Sequence, residues 1–114
     1  MIEMMNLFKD LTVNDNAKMA QLQTVCYLED RGYVCKIEQH VRDRYDGRPG
    51  RIDILANNKY HTIAIEVDHH NPRMKSIFKL NNYKADYKYI LLRGLSGCNH
   101  IFSNNIFVVG IKIK

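Results

Sequence analysis

The spacing of apolar residues changes along the chain, and each change predicts an element. Between residues 14 and 31, Met19, Leu22, Val25, Cys26 and Leu28 recur on one helical arc. Asn14 or Asn16 supplies the cap, because a side-chain oxygen there accepts from the first free N–H groups, and Gly32 supplies the stop. Residues 34–41 read as a strand with Cys35, Ile37, Gln39 and Val41 on one face. A charged turn follows, with Asp46-Gly47 and Pro49-Gly50 as breakers. Residues 50–56 and 61–68 form a predicted hairpin around the polar turn at residues 57–59. Ile52 and Ile54 share one face of its first strand, and Asp53 takes the other. On its second strand Ile63, Ile65 and Val67 oppose Ala64, Glu66 and Asp68. Asn71 then caps a second helix with Pro72 at its first position. Met74, Ile77 and Phe78 form its apolar arc, with Lys75 and Lys79 one turn apart on an adjacent flank. Residues 87–92 and 106–113 are the last two strands, and residues 1–13 are mixed, a short helix or an arm. This pattern supports α/β or α+β.

Three carboxylates on one hairpin need a reason. Aspartate is disfavoured inside strands, yet Asp53 stands between two isoleucines. Glu66 interrupts a near-continuous apolar run of the kind found in buried central strands. A carboxylate there must be paired or bound to a cation. Acids aimed from neighbouring strands at one spot repel unless a cation lies between them. Oxygen ligands with room for water suit Mg²⁺ or Mn²⁺.

Asp53, with Glu66 and Asp68 thirteen and fifteen residues later, resembles the motif of the PD-(D/E)XK nuclease superfamily. That motif places an Asp on one core strand and Asp/Glu-x-Lys on the next. The resemblance extends over residues 21–92 and implies a single-domain α-β-β-β-α-β mixed sheet flanked by helices, restriction-endonuclease-like, here with an added C-terminal strand. It also implies Asp53 and Glu66 as metal ligands, with the backbone carbonyl of Val67 completing the set. Two positions depart from the motif. Asp68 stands where the family has lysine, and three readings remain open. Asp68 holds a second metal or its water shell; a base from the following helix replaces the lysine, Lys75 before Arg73; or the site is inactive. Gln21 stands where resolvase-like members carry a helical glutamate, and is either an accessory to the metal or a boundary glutamine. Glu38 is accessory only if its face of the strand points to the site.

Composition adds the partner. Seventeen basic against 12 acidic residues leave a formal charge of +5, which suits a polyanion. Arg42, Arg44, Arg48 and Arg51 crowd the turn before the hairpin, either to grip phosphates or simply as a solvated turn. Lys75 and Lys79 join them as candidate nucleic-acid contacts, and Tyr45 as a weaker stacking candidate. Tyr83, Tyr87 and Tyr89 read as packing residues. His69 and His70 serve proton transfer or cap a turn. Cys26, Cys35 and Cys98 lack the spacing of a disulfide framework. The first two read as small buried hydrophobes, and Cys98 with His100, His69 and His70 matches no zinc module. No apolar run approaches the ~18–20 residues of a membrane span, and no secretory leader is evident, so a cytoplasmic location is expected. The expectation is a Mg²⁺- or Mn²⁺-dependent DNA endonuclease acting on branched or nicked DNA, with a homodimer required for double-strand or junction cleavage. The alternative is a catalytically inactive nuclease-fold module that binds nucleic acid or a protein partner.

Overall fold

The computed structural model describes residues 2–41, 50–95, 99–102 and 105–114. In chain order the elements are α1 (Ile2–Met5), β1 (Thr12–Val13), α2 (Ala17–Glu29), β2 (Val34–Val41), β3 (Gly50–Asn57), β4 (Thr62–Asp68), α3 (Met74–Asn81), β5 (Tyr87–Arg93), β6 (Asn99–Phe102) and β7 (Ile106–Ile113). The fold class is α/β, one mixed sheet in the order β1-β7-β5-β4-β3-β2. β2 pairs antiparallel with β3 and β3 with β4, whereas β4, β5 and β7 run parallel to one another. β7 has eight residues, enough for two partners along one edge. Its first half pairs with β6 and its end with β1. The pattern of residues 1–13 did not separate α1 from β1, and β6 is too short and polar to have been predicted.

Two hydrophobic layers enclose the sheet. Ala20 and Leu28 of α2 pack with Ile54, Ile63, Ile65 and Tyr89 on one face. Ile77 and Leu80 of α3 pack with Ile52, Ala64, Ile90 and Val108 on the other. β4, β5 and β7 are covered on both faces, so their sequences are almost continuously apolar.

Several expectations about faces are corrected. α2 is capped by Asn16, whose Oδ1 accepts from Met19 N–H at 3.1 Å. Its buried residues, however, are Ala20, Gln21, Thr24 and Leu28, while Met19, Leu22 and Cys26 are exposed. Small residues let the helix lie close to the sheet, and the Thr24 hydroxyl satisfies itself on the Ala20 carbonyl at 2.7 Å. Ile37 on β2 is exposed as well, because β2 is an edge strand. α3 starts at Met74 and not at Pro72, and Asn71 does not cap it. Met74 is exposed, and the inward residues are Ser76, Ile77 and Leu80.

The correction with the largest consequence is at Asp53. Ile52 and Ile54 do not share a face: Ile52 packs with α3 and Ile54 with α2. Residues two apart on a regular strand point the same way, so the pleat is broken between them. The paired strand breaks at the same level. Ile37 pairs with Ile54 and Gln39 with Ile52, and between them Glu38 holds φ of 50°. A non-glycine residue in that left-handed region costs on the order of 1 kcal/mol. Both strands therefore twist at the level of Asp53.

Candidate active site

The break in β3 sets the site. Residues of β3 and β4 pair from Asn57↔Thr62 to Ile54↔Ile65. Past that point carboxylates bridge the two strands. Glu66 Oε2 accepts from Asp53 N–H at 2.8 Å, and Asp53 Oδ2 accepts from Val67 N–H at 2.8 Å. Each acid thus satisfies a backbone donor on the opposite strand. The two strands are clasped by charged side chains, which holds Asp53 and Glu66 side by side.

Glu66 is fully buried. Lys79 from α3 brings its Nζ to 2.5 Å from Glu66 Oε1. The same ammonium donates to the Arg51 carbonyl at 2.8 Å. Burial raises the pKa of Glu66, repulsion from Asp53 raises it further, and Lys79 offsets part of this, leaving it at about 7. Burial also raises Asp53, against the opposing pull of its hydrogen bond to Val67 and of Lys79. A buried acid beside a half-buried one, with one cation between them and the backbone, makes a tuned group.

Lys79 was expected only as a nucleic-acid contact. Its place follows from elementary lengths. α3 folds back along β4, and Ser76 meets Asp68 at 2.9 Å. Glu66 lies two strand residues before Asp68, roughly 6.6 Å back at ~3.3 Å per residue, which is about four helical residues at ~1.5 Å each. Lys79 is three residues after Ser76, on the same helical face and about 4.5 Å along the axis, and its long side chain spans the rest of the way to Glu66. Lys75 sits a turn too early and is exposed.

Asp68 has a different setting. It is buried, its Oδ2 accepts from Arg73 N–H at 2.8 Å, and its Oδ1 accepts from Arg73 Nε at 2.8 Å and from Ser76 Oγ. Arg73, the N-cap residue of α3, makes no cap with its own side chain. Asp68 therefore caps and anchors α3 from the end of β4.

A cleft of about 420 Å³ opens at this end of the sheet. Asp53, Val67, Asp68 and Arg73 line it from the strands and α3, Gln21 from α2, and Arg93 from the end of β5. Lys18, Ala17 and His69 complete the rim. The cleft lies at the carboxyl ends of β4 and β5, the usual place for a ligand in a sheet of this kind. Gln21 is buried, with its side-chain amide next to the Glu38 carboxylate. Glu38 is instead ion-paired with Lys18 at 3.3 Å and Arg51 at 3.5 Å, outside the acid pair. The hydrogen bond from Lys18 and its charge lower the Glu38 pKa. Arg42, Arg44, Tyr45, Arg48 and Cys98 lie outside the described residues.

Sequence reasoning missed Arg93 and Lys18. Arg93 ends an apolar strand, and a cation at that boundary was the available signal. Lys18, in the first turn of α2, carried none. His69 and His70 stack with ring centroids 3.7 Å apart, and His69 Nε2 lies 3.4 Å from Asp15 Oδ1. No helix of the described residues is long and apolar enough to cross a membrane.

Among the described residues, no three His, Cys, Asp or Glu side chains converge as a metal-holding group. Two carboxylates do meet, and Mg²⁺ is commonly held by one or two carboxylates with water filling the remaining positions. The raised Asp53 and Glu66 pKa values fit a pair that a divalent cation would relieve. Asp68 fits less well, since Arg73 already neutralises it. Compared with models of known protein families, with curated proteins and with solved structures, the chain gives no match.

Proposed function

We propose that the chain is a metal-dependent phosphodiesterase of the PD-(D/E)XK nuclease type acting on DNA. The observation that carries this reading is the Asp53–Glu66–Lys79 group: two carboxylates clasped across β3 and β4, with an ammonium 2.5 Å from one of them. Asp53 and Glu66 are the residues that would hold Mg²⁺ or Mn²⁺. Such an ion, when bound, polarises a phosphoryl oxygen and lowers the pKa of water. Lys79 takes over the role of the lysine absent at position 68. Its positive charge, fixed by Glu66 and the Arg51 carbonyl, steadies negative charge developing on a phosphate. Asp68 acts through α3, holding the helix that carries Lys79, and is a positioning residue. Gln21 lines the cleft as a neutral donor.

A small protein with one such cleft per chain cuts one strand per encounter. Double-strand or junction cleavage then requires two copies, and a two-fold pair is the default arrangement. A second reading has its own support. Gln21 in place of an acid and Asp68 neutralised by Arg73 leave only two acids for a cation, which favours an inactive nuclease-fold module that binds nucleic acid or a protein partner.

Incubating plasmid and branched DNA with Mg²⁺ or Mn²⁺, against EDTA, separates the two. Metal-dependent cleavage that is lost in Asp53→Asn and Lys79→Met supports the first reading. Metal-independent DNA binding without cleavage by the wild type supports the second.

A further inference from the structure

α2 turns its apolar arc away from the sheet. Met19 is 46% exposed and Leu22 41%, and Cys26 is exposed as well, while Ala20, Gln21, Thr24 and Leu28 face inward. Positions 19, 22 and 26 follow the spacing of a helix–helix seam. β2 lies alongside. Lys18 Nζ meets Glu38 at 3.3 Å, and Tyr33 N–H donates to the Leu28 carbonyl at 3.1 Å. Leu22 falls between these two ties. Ile37, next to Glu38 and paired with Ile54 on the α2 side of the sheet, is exposed too. The apolar seam thus continues onto an edge strand. The charges of α2 indicate what fits the seam. Its first turn has no acid and carries Lys18; its last turn has no base and ends at the exposed Glu29 and Asp30. Both ends add to the helix dipole and do not offset it. Arg31 is folded back over the Tyr27 ring and onto the Tyr27 carbonyl. Among the described residues, no cation pairs with Glu29 or Asp30. A cationic start and an acidic end, joined by an apolar stripe, match an identical helix laid antiparallel.

We infer that α2 and the adjoining edge of β2 form an interface with a second copy of this chain, the two α2 helices packed antiparallel across a two-fold axis. Leu22 of each copy then faces Cys26 of the other. The same register sets Lys18 opposite Asp30, because both pairs are centred on the level of Thr24. Lys18 keeps Glu38 of its own chain and gains a second carboxylate. A stripe that packs on its own copy closes at two chains. This is the pair that double-strand or junction cleavage requires. The inference rests on the nuclease reading for that use, but not for the association itself.

The test is sedimentation velocity of the full chain over a wide range of concentration, without DNA and under reducing conditions. The wild type should show a monomer–dimer equilibrium. Leu22 is exposed, so Leu22→Glu should keep the wild-type Tm in dilute solution and weaken association by about tenfold or more. Asp30→Lys and Lys18→Glu should each weaken it as well. Mixing those two variants should restore it, since one chain then brings two cations to the other's two acids. In dilute solution Asp30→Lys should raise Tm slightly by complementing the helix dipole, which separates lost association from misfolding. Under mild oxidation Leu22→Cys should give a covalent dimer, and adding Cys26→Ser to the same chain should abolish it. A wild type that is monomeric at every concentration overturns the interface, as does a dimer that Leu22→Glu leaves intact. Loss of the dimer in Leu22→Glu with neither rescue in the mixture nor the covalent link overturns the antiparallel register, and the proposal with it. DNA cleavage by a chain that stays monomeric would end the interface and leave the nuclease reading standing; a dimer with no cleavage would do the reverse.

Discussion

At the level of single residues, Glu66 and Lys79 make a buried pair whose members depend on each other. Removing one side of such a pair leaves a charge out of water without compensation, which typically costs about 3–5 kcal/mol. Lys79→Met is therefore expected to lower stability by roughly that amount at pH 8, and by clearly less at pH 5, where Glu66 takes up a proton. Denaturant melts at the two pH values check this. In the wild type the Glu66 pKa stands at about 7, above its ordinary value of 4.5. A raised acid binds its proton more tightly in the folded state. Its contribution to stability is thus fully present below pH 4.5 and is lost as pH rises through about 7. The loss is on the order of 3 kcal/mol. Metal-free Tm should fall across that window, and Glu66→Gln should flatten the fall. Mn²⁺ should raise Tm more at pH 8 than at pH 6, because the cation displaces the proton. Asp53 repeats the lesson with a hydrogen bond. Asp53→Ala strands the Val67 N–H at a cost of about 1–3 kcal/mol, whereas Asp53→Asn keeps an acceptor and removes repulsion. The Asn variant should melt at or above the metal-free wild type, and the Ala variant below it.

At the level of elements, α3 is short and weakly capped by its own sequence, and Asp68 holds its start. Asp68→Ala leaves Ser76 Oγ and the Arg73 N–H without their acceptor and should cost about 2 kcal/mol. The loss should be the same with EDTA and with Mn²⁺. A ligand of a second cation would behave differently, with a penalty that appears only when metal is present. Paired melts of wild type and variant in both conditions decide between these roles. Cleavage should fall too, through displacement of Lys79, and restoring the acceptor with Asp68→Asn should recover part of it. The twist of β2 and β3 at Glu38 and Asp53 is also a property of elements. It turns Ile52 toward α3 and leaves Asp53 at the cleft, a result that neither strand specifies alone.

For the whole molecule, the charge of +5 acts on partners and not on the fold. DNA affinity should fall linearly in log K against log salt, with a slope set by the number of phosphates neutralised. Combined replacement of Arg42, Arg44 and Arg48 should make that slope shallower, as should Lys18→Gln at the cleft rim. Fluorescence anisotropy across a salt series measures both. Absence of binding at low salt would end every nucleic-acid reading of the cleft.

The periodicity of the chain by itself located the main strands and both principal helices, narrowed the α2 cap to Asn14 or Asn16, and left the class as α/β or α+β. These depend on local spacing of apolar residues and on side-chain chemistry within a turn. The pairing of Asp53 with Glu66 was also legible, because acids are costly in apolar strands and two of them stood on neighbouring strands. Tertiary structure decided which face each residue took. The arc of α2 turned because Ala20 and Thr24 let the helix approach the sheet, and hydrophobicity alone pointed to Met19 and Leu22. Lys79 reached Glu66 because α3 folds back along β4, so that two strand residues are matched by about four helical ones. Arg93 and Gln21 are separated by 72 positions in the chain and line one cleft only because β5 ends beside the start of α2. Local sequence encodes period and preference; the partner of a buried charge is set by where distant segments pack.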